Sequence, residues 1–398
     1  MKSSAPSLGL YIHIPFCKSK CAYCDFYSLP HREEEMDAYC AALTAHLIET
    51  APRCESYAVD TVFFGGGTPS YLGHKRLCAL LKTVKKHYSF ARHAEVTLEA
   101  NPDSAKDVKS LRALRRAGFN RISLGVQSTD DALLRAIGRI HTFEEAKEAV
   151  NAARKAGFEN ISCDLIFGLP GQTMAHWEKT LEDILALDIE HLSCYGLMLE
   201  EGTPLYEKRH SLTIPDDELQ ADMYLFTVDY LARHGYKQYE ISNFAKEGCH
   251  SRHNLRYWQL KEYAGFGPGA HSDLGGVRYA YEKDFAAYLR GELNLSESEV
   301  IEPRDRDGEY LMLSLRTIYG LNAAEYEKRF RRPFAPFEKL LLSFEKEGLA
   351  VKEADNWHLT PRGFLLSNAI IGEMLDVQQR EKSRRADRTD FTVFRQET

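Results

Sequence analysis

The chain has 398 residues with a net charge of −7, and its pI is near 6.1. That length exceeds one common-sized domain and predicts a large α/β unit with a smaller appendage; the acidic balance argues against nucleic acid as the main partner, because phosphate binding requires a basic face. No run approaches the roughly 20 apolar residues of a membrane-spanning helix, and the opening MKSSAPSLGL lacks the apolar core of a signal peptide, so a cytoplasmic protein with at most peripheral membrane contact is expected.

In chain order, the segments LYIHIP, DTVFFGGG, EVTLEANP, RISLGVQS, NISCDLIFGLP and HLSCYGLML are rich in β-branched or aromatic residues and close on Gly, Pro or Asn, as strands do. Between them, stretches such as SAKDVKSLRALRRAG and TFEEAKEAVNAARKAG repeat apolar residues at three and four and end on glycine, as amphipathic helices do. Alternation of this kind builds a parallel sheet, and about six units are too few for a closed eight-fold barrel. The expected fold is therefore α/β, a partial, open β/α barrel over residues 1–245. Residues 246–300 follow as a Gly- and aromatic-rich extension containing HNLRYW. Residues 301–376 read as three helices, a hairpin in GLAVKEADNWHLTPRG and a final helix, a winged-helix-like α+β domain without an evident basic recognition helix. The stretch 377–398 is mixed in sign, lacks apolar periodicity and is read as a disordered tail.

Parallel β/α folds carry their chemistry beyond the carboxyl ends of the strands. GGGTP, EANP, GVQS and DLIFGLPGQ all fall there, and so do Cys17, Cys21 and Cys24 after the first strand. Nine cysteines in a reducing compartment do not make a disulfide framework, and the six outside this cluster read as small buried hydrophobes, with Cys249 held open. Structural zinc sites close with four ligands, and no second cysteine pair is present to complete one. Three thiolates on one short loop can hold three irons of a 4Fe-4S cube and leave the fourth iron open, so the spacing favours iron-sulfur over zinc.

CxxxCxxC followed by an aromatic residue, with GGGTP after the next strand, resembles the radical S-adenosylmethionine (SAM) superfamily. YIHIPFC, LGVQSTDDALLRAIGRIHT and DLIFGLPGQT resemble its HemN and HemW branch, a likeness that runs from Tyr11 to LTPRGFLLSNAIIGEML. The resemblance implies that Cys17, Cys21 and Cys24 ligate a 4Fe-4S cluster whose open iron is chelated by the amino and carboxylate groups of SAM. It places Tyr11 beside that site, sets Gly66, Gly67 and Thr68 against the methionine part of SAM, Glu99 and Arg139 at its amino and carboxylate ends, and Gln127 and Asp164 at the ribose hydroxyls. The residue types suit those partners. Read without the family, Glu99 is also a strand-end carboxylate capping the next helix, and Arg139 a surface charge.

Within the branch, HemN-type coproporphyrinogen dehydrogenases carry a fourth cysteine two places after the third. Here that place is Phe26, and only ten residues precede Tyr11. HemW-type haem chaperones carry CxxxCxxCxF with HNxxYW, here His253 to Trp258, so the resemblance implies a haem carrier, with His253 as candidate haem ligand and haem-accepting apo-proteins such as respiratory cytochromes as partners. On residue chemistry alone, His253 reads equally as a loop imidazole bonded to backbone; His250, Cys249 and His271 lie close by as substitutes. The alternatives are an oxygen-independent coproporphyrinogen III dehydrogenase and a radical SAM enzyme acting on RNA.

Overall fold

The alternating runs fold as six parallel strands: β1 (Ser7–Ile14), β2 (Ala58–Gly66), β3 (Phe90–Ala100), β4 (Arg121–Gln127), β5 (Ile161–Phe167) and β6 (His191–Gly196). In this computed structural model, which describes residues 5–393, they pair in sequence order and form an open sheet. Leu8, Leu10, Ile12 and Ile14 of β1 alternate at the strand period of two and are all fully buried. The crossover helices explain why every connection is parallel. Helix Val108–Ala117 is capped by the Asp107 carboxylate and stopped by Gly118 in the left-handed region, at φ 118°. Helix Phe143–Ala156 starts in a reciprocal Thr142–Glu145 capping box, ends at Gly157, and buries Ala146, Ala149, Val150 and Ala153 on one face.

Clustering of the chain separates two units. The first comprises the described residues up to 237 with 242–256 and 261–300, so the extension does not stand apart from the barrel. Its strands continue the same sheet: β7 (Asn243–Ala245) lies antiparallel to β6, β8 (Tyr263–Phe266) parallel to β1, and β9 (His271–Leu274), β10 (Val277–Tyr281) and β11 (Leu295–Val300) follow as an antiparallel meander.

The second unit, 238–241, 257–260 and 301 onward, sets helices Asp307–Ser314, Ala323–Phe330 and Ala335–Lys346 with a three-stranded sheet of Leu321–Asn322, Asn356–Leu359 and Ala350–Glu353. Tyr326, Phe330, Phe334 and Phe337 are buried together, with ring centroids 5.1 to 5.6 Å from Tyr326. The segment expected to be a disordered tail is instead helical as far as Val393, within a helix that begins at Ser367; residues 394–398 lie outside the described residues. Its physical basis is propensity: Gln, Arg, Glu, Lys and Ala lose little freedom in a helix whether or not an apolar stripe is present. Among the described residues no helix is long and apolar enough to cross a membrane.

One buried charge fastens the extension to the barrel. Arg256, only 2% exposed, pairs with Asp60 on β2 and donates to the Glu262 carbonyl at 2.8 Å. A guanidinium taken out of water is tolerated only with its carboxylate in place. Asp60→Ala is expected to lower unfolding free energy by about 3 kcal/mol, read by urea denaturation, whereas replacing the exposed ion-pair partner Asp229 should change it by less than about 1 kcal/mol.

Candidate functional site

The carboxyl ends of the six parallel strands open into a cleft of about 400 Å³, and three thiols enter it from the loop after β1: Cys17, Cys21 and Cys24 all line it. Their loop is fixed from outside. The Ala22 amide donates to the Ile137 carbonyl at 3.0 Å, and the Leu29 amide to the Pro15 carbonyl. The glycine turn after β2 is pinned to β1 in turn, Gly67 N donating to the Ile14 carbonyl at 2.8 Å and Thr68 N to the Phe16 carbonyl at 2.7 Å. A Cβ on Gly67 would stand 2.8 Å from that Phe16 carbonyl oxygen, so only glycine lets the two backbones meet there.

A chain of hydrogen bonds joins the cysteines to three strand ends. Asn101 Nδ2, just past β3, donates to Thr68 Oγ1 at 3.1 Å, which leaves the threonine hydrogen for Cys17 Sγ at 3.4 Å. Arg139 then donates one Nη to Asn101 Oδ1 at 2.9 Å and to the Gly125 carbonyl, and the other to Cys21 Sγ at 3.5 Å. Arg139 is 9% exposed, which removes the surface-charge reading, and its Nε is buried without a partner. Burial pushes the Cys17 thiol up, and the Cys24 thiol up to about 11. Such sulfurs ionise when a cationic metal centre takes the place of the proton.

Strand register assembles the floor. Glu99 stands opposite Ser123, Gly125 opposite Asp164, and Asp164 opposite Ser193. Ser193 donates to Asp164 Oδ1 at 2.7 Å and Ser123 to the same carboxylate at 3.1 Å, as a buried carboxylate requires. Glu99 accepts from Gly66 N at 3.1 Å rather than capping a helix. Burial, followed by the charge of Asp164, pushes its carboxyl up to about 8; burial also raises Asp164. Gln127 closes β4 with φ at 67°, in the left-handed region, where the register slips relative to β5; a non-glycine residue held so stores local strain of about 1 to 3 kcal/mol.

Thus Gly66, Gly67, Thr68, Glu99, Gln127, Arg139 and Asp164 share one cleft with the three cysteines. Tyr11 does not line it. Its hydroxyl stands 3.0 Å from Nδ1 of His13, whose Nε2 donates to the Tyr27 carbonyl at 2.9 Å, so Nδ1 accepts from Tyr11. The His13 ring fills the space that a Cβ on Gly66 would need, 2.5 Å away.

The structure does not bring His253 into the cleft either. It is 1% exposed in helix Arg252–Trp258, stacked on Phe63 with centroids 5.1 Å apart, with Nδ1 2.9 Å from Thr61 Oγ1 and its amide on Glu95 Oε1 at 3.0 Å. A bond from this imidazole to haem iron would require that packing to open. Asn101, Ser123, Ser193 and His13 were missed as site residues. EANP carried a signal for Asn101 as a polar strand end; nothing local pointed to His13 or to the serines, whose pairing with Asp164 is set by register between strands.

The donor set fits the group that the cysteine spacing implies: three thiols on one fixed loop, an arginine with an orphaned Nε, and two carboxyls that desolvation holds above their ordinary range. The Radical SAM superfamily matches residues 11–184, and the HemN C-terminal domain matches 301–366. The chain is 36% identical over 374 residues to the heme chaperone HemW of Bacillus subtilis, covering 92% of this chain and 98% of that one. Against the heme chaperone HemW of Lactococcus lactis the identity is 37%, with 92% and 96% covered. Among solved structures, the radical SAM enzyme coproporphyrinogen III oxidase (HemN) of Escherichia coli superposes with a TM-score of 0.80 at 25% identity, over 92% of this chain and 89% of that one. Kinship at this level, over nearly the full length of both chains, means that the chain belongs to the HemW family of the radical SAM superfamily.

Proposed function

We propose that the chain is a haem chaperone of the cytoplasm that uses a radical SAM scaffold, holding a 4Fe-4S cluster on Cys17, Cys21 and Cys24 and SAM in the cleft beside it, and delivers haem to apo-proteins such as respiratory cytochromes. The observation that carries this reading is the convergence of three thiols, the glycine turn and the two carboxylates in one cleft, in a chain 36% identical to a heme chaperone over almost all of that protein. Three thiols free of disulfides, Cys17 buried and Cys21 and Cys24 half-buried, suit a reducing compartment.

Bound there, the cluster supplies an open iron and SAM a sulfonium beside it. The chain's own residues orient the cofactor. Glu99 accepts from the ammonium, Arg139 pairs with the carboxylate, and Asp164 and Gln127 accept from the ribose hydroxyls, while the Gly66–Gly67 backbone lies flat against the methionine part. The dehydrogenase alternative has the HemN likeness in its favour; against it stands Phe26 at the place of the fourth cysteine, lining the cleft with 66% of its surface exposed.

Anaerobically purified protein is expected to carry about four irons and four sulfides per chain. Alanine at Cys17, Cys21 or Cys24 should abolish them, whereas Cys78→Ala, which alters a helix contact to the Ala113 carbonyl, should not; stoichiometric zinc would refute the cluster. Given coproporphyrinogen III, SAM and a reductant, the loaded protein should form no protoporphyrinogen, and it should bind haem saturably in a parallel titration. Turnover without haem binding would establish the dehydrogenase instead.

Glu99 adds a pH signature to the cofactor-free protein. Its folded carboxyl titrates near 8, above the ordinary 4.5, so the unfolded chain releases this proton first as pH rises. Stability therefore falls between about pH 4.5 and 8, with a slope approaching 1.4 kcal/mol per pH unit from this group. Glu99→Gln should remove that contribution, so the variant gains on wild type across the window; parallel stability–pH curves would show that the carboxyl is not held protonated.

A further inference from the structure

The cleft has a polar floor and an apolar mouth, and the mouth is the part that SAM leaves unexplained. No histidine lines the cleft. His13 and His141 are buried nearby, with Nε2 of each on a backbone carbonyl. Apart from the three cysteines, the lining side chains with affinity for haem iron are the Tyr23 and Tyr195 phenols and the Met198 thioether; Tyr23 packs against Leu133, Ile137, Ile166 and Leu169, which leaves Tyr195 and Met198 as the exposed pair. Tyr195 lies at the end of β6 and Met198 just past it, and with Phe26 on the cysteine loop they are the exposed large apolar residues of the lining, Met198 at 71%. Apolar side chains gathered open at one place mark a binding surface.

Met198 is presented by a fixed strap. Its neighbour Leu197 donates its amide to the Phe167 carbonyl at 2.8 Å and packs against buried Leu133, Ile137, Ile166 and Leu169. Downstream, Thr203 Oγ1 donates to the Glu200 carbonyl at 2.7 Å, and Leu205 N donates to the Ala22 carbonyl at 2.8 Å, tying the strap to the cysteine loop. Pinned at both ends, this backbone holds a long, flexible thioether in solvent at the edge of the cleft. Lys20, exposed on the facing loop and also lining the cleft, adds a cation.

Resting on the haem-carrier reading, the geometry points to the cleft mouth as the haem seat: the macrocycle lies on Phe26 and Tyr195, the Met198 thioether bonds the iron, and Lys20 meets a propionate. The ring contributes flat apolar area, the iron a soft-ligand site, and the propionates negative charge, each matched by a residue at the mouth.

The test is titration of haem into full-length, cluster-loaded wild type and the variants Met198→Leu, Phe26→Ala and Tyr195→Phe, read by absorption and near-infrared magnetic circular dichroism, with iron and sulfide content as the check on folding. Wild type should show a thioether-to-iron charge-transfer band. Met198→Leu should lose that band and bind roughly tenfold more weakly; Phe26→Ala should bind more weakly with the band retained, and Tyr195→Phe should keep the band. Wild-type affinity and spectrum in Met198→Leu would overturn the seat while leaving the carrier reading intact, as would loss of haem in a cluster-replete His253→Asn variant alone. Absence of saturable haem binding in wild type would remove both.

Discussion

The hydrogen-bonded chain from Cys17 through Thr68, Asn101 and Arg139 to Cys21 is the constraint on which the rest of the site depends. The chain starts and ends on the loop after β1 and runs through the residues just past β2 and β3 to Arg139, beyond the helix that follows β4, so it forms only when β1 to β4 hold their parallel register. It also sets the electrostatics, because it aims a buried guanidinium at one sulfur and a hydroxyl hydrogen at another. Loss of any one link leaves a polar group buried without its partner, at a cost of about 1 to 3 kcal/mol.

What was legible in the sequence follows from how local each signal is. Strand alternation, helix caps and glycine stops lie within ten or fifteen residues of one another, and the parallel fold rule then gathers every strand-end motif at one end. That is why GGGTP, EANP and DLIFGLPGQ are legible as strand-end motifs, whereas the roles of Glu99 and Asp164 within them come from the family resemblance. The serines that satisfy Asp164 needed register between neighbouring strands, which no single strand contains.

His253 shows where such reading stops. An imidazole beside aromatic residues is chemically suited to haem, yet Glu95 on β3 receives its amide and Phe63 on β2 covers its ring, contacts made across about 160 to 190 residues of chain. Tyr11 fails for a related reason. Residues two apart share a face of a strand, so Tyr11 meets His13, and the hydroxyl that a motif places beside SAM is spent on that imidazole, whose ring stands against Gly66. Tyr11 therefore acts on the cleft through the backbone of Gly66. The helical tail escapes for the opposite reason: helix propensity and a tertiary ion pair from Lys382 to Asp307 at 3.1 Å sustain it, and a search for periodicity detects neither.

The two levels of the cleft have opposite physical character, and under the proposed haem seat that separation would let one opening serve two ligands. At depth, Glu99 and Asp164 are carboxylates whose charged forms are disfavoured until a cation arrives, and SAM brings both a sulfonium and an ammonium; binding there exchanges a desolvation cost for direct pairing. At the mouth, Phe26, Tyr195 and Met198 offer apolar area and a soft donor without a buried charge, terms that a flat macrocycle satisfies and SAM does not. The cysteine loop belongs to both levels, since Cys17 and Cys21 face the polar chain while Phe26, two residues beyond Cys24, reaches the rim. A fourth thiol at that position would have put a further metal ligand at the rim, where this chain has an aromatic ring. Phe26 leaves the rim with an aromatic face in place of a thiol.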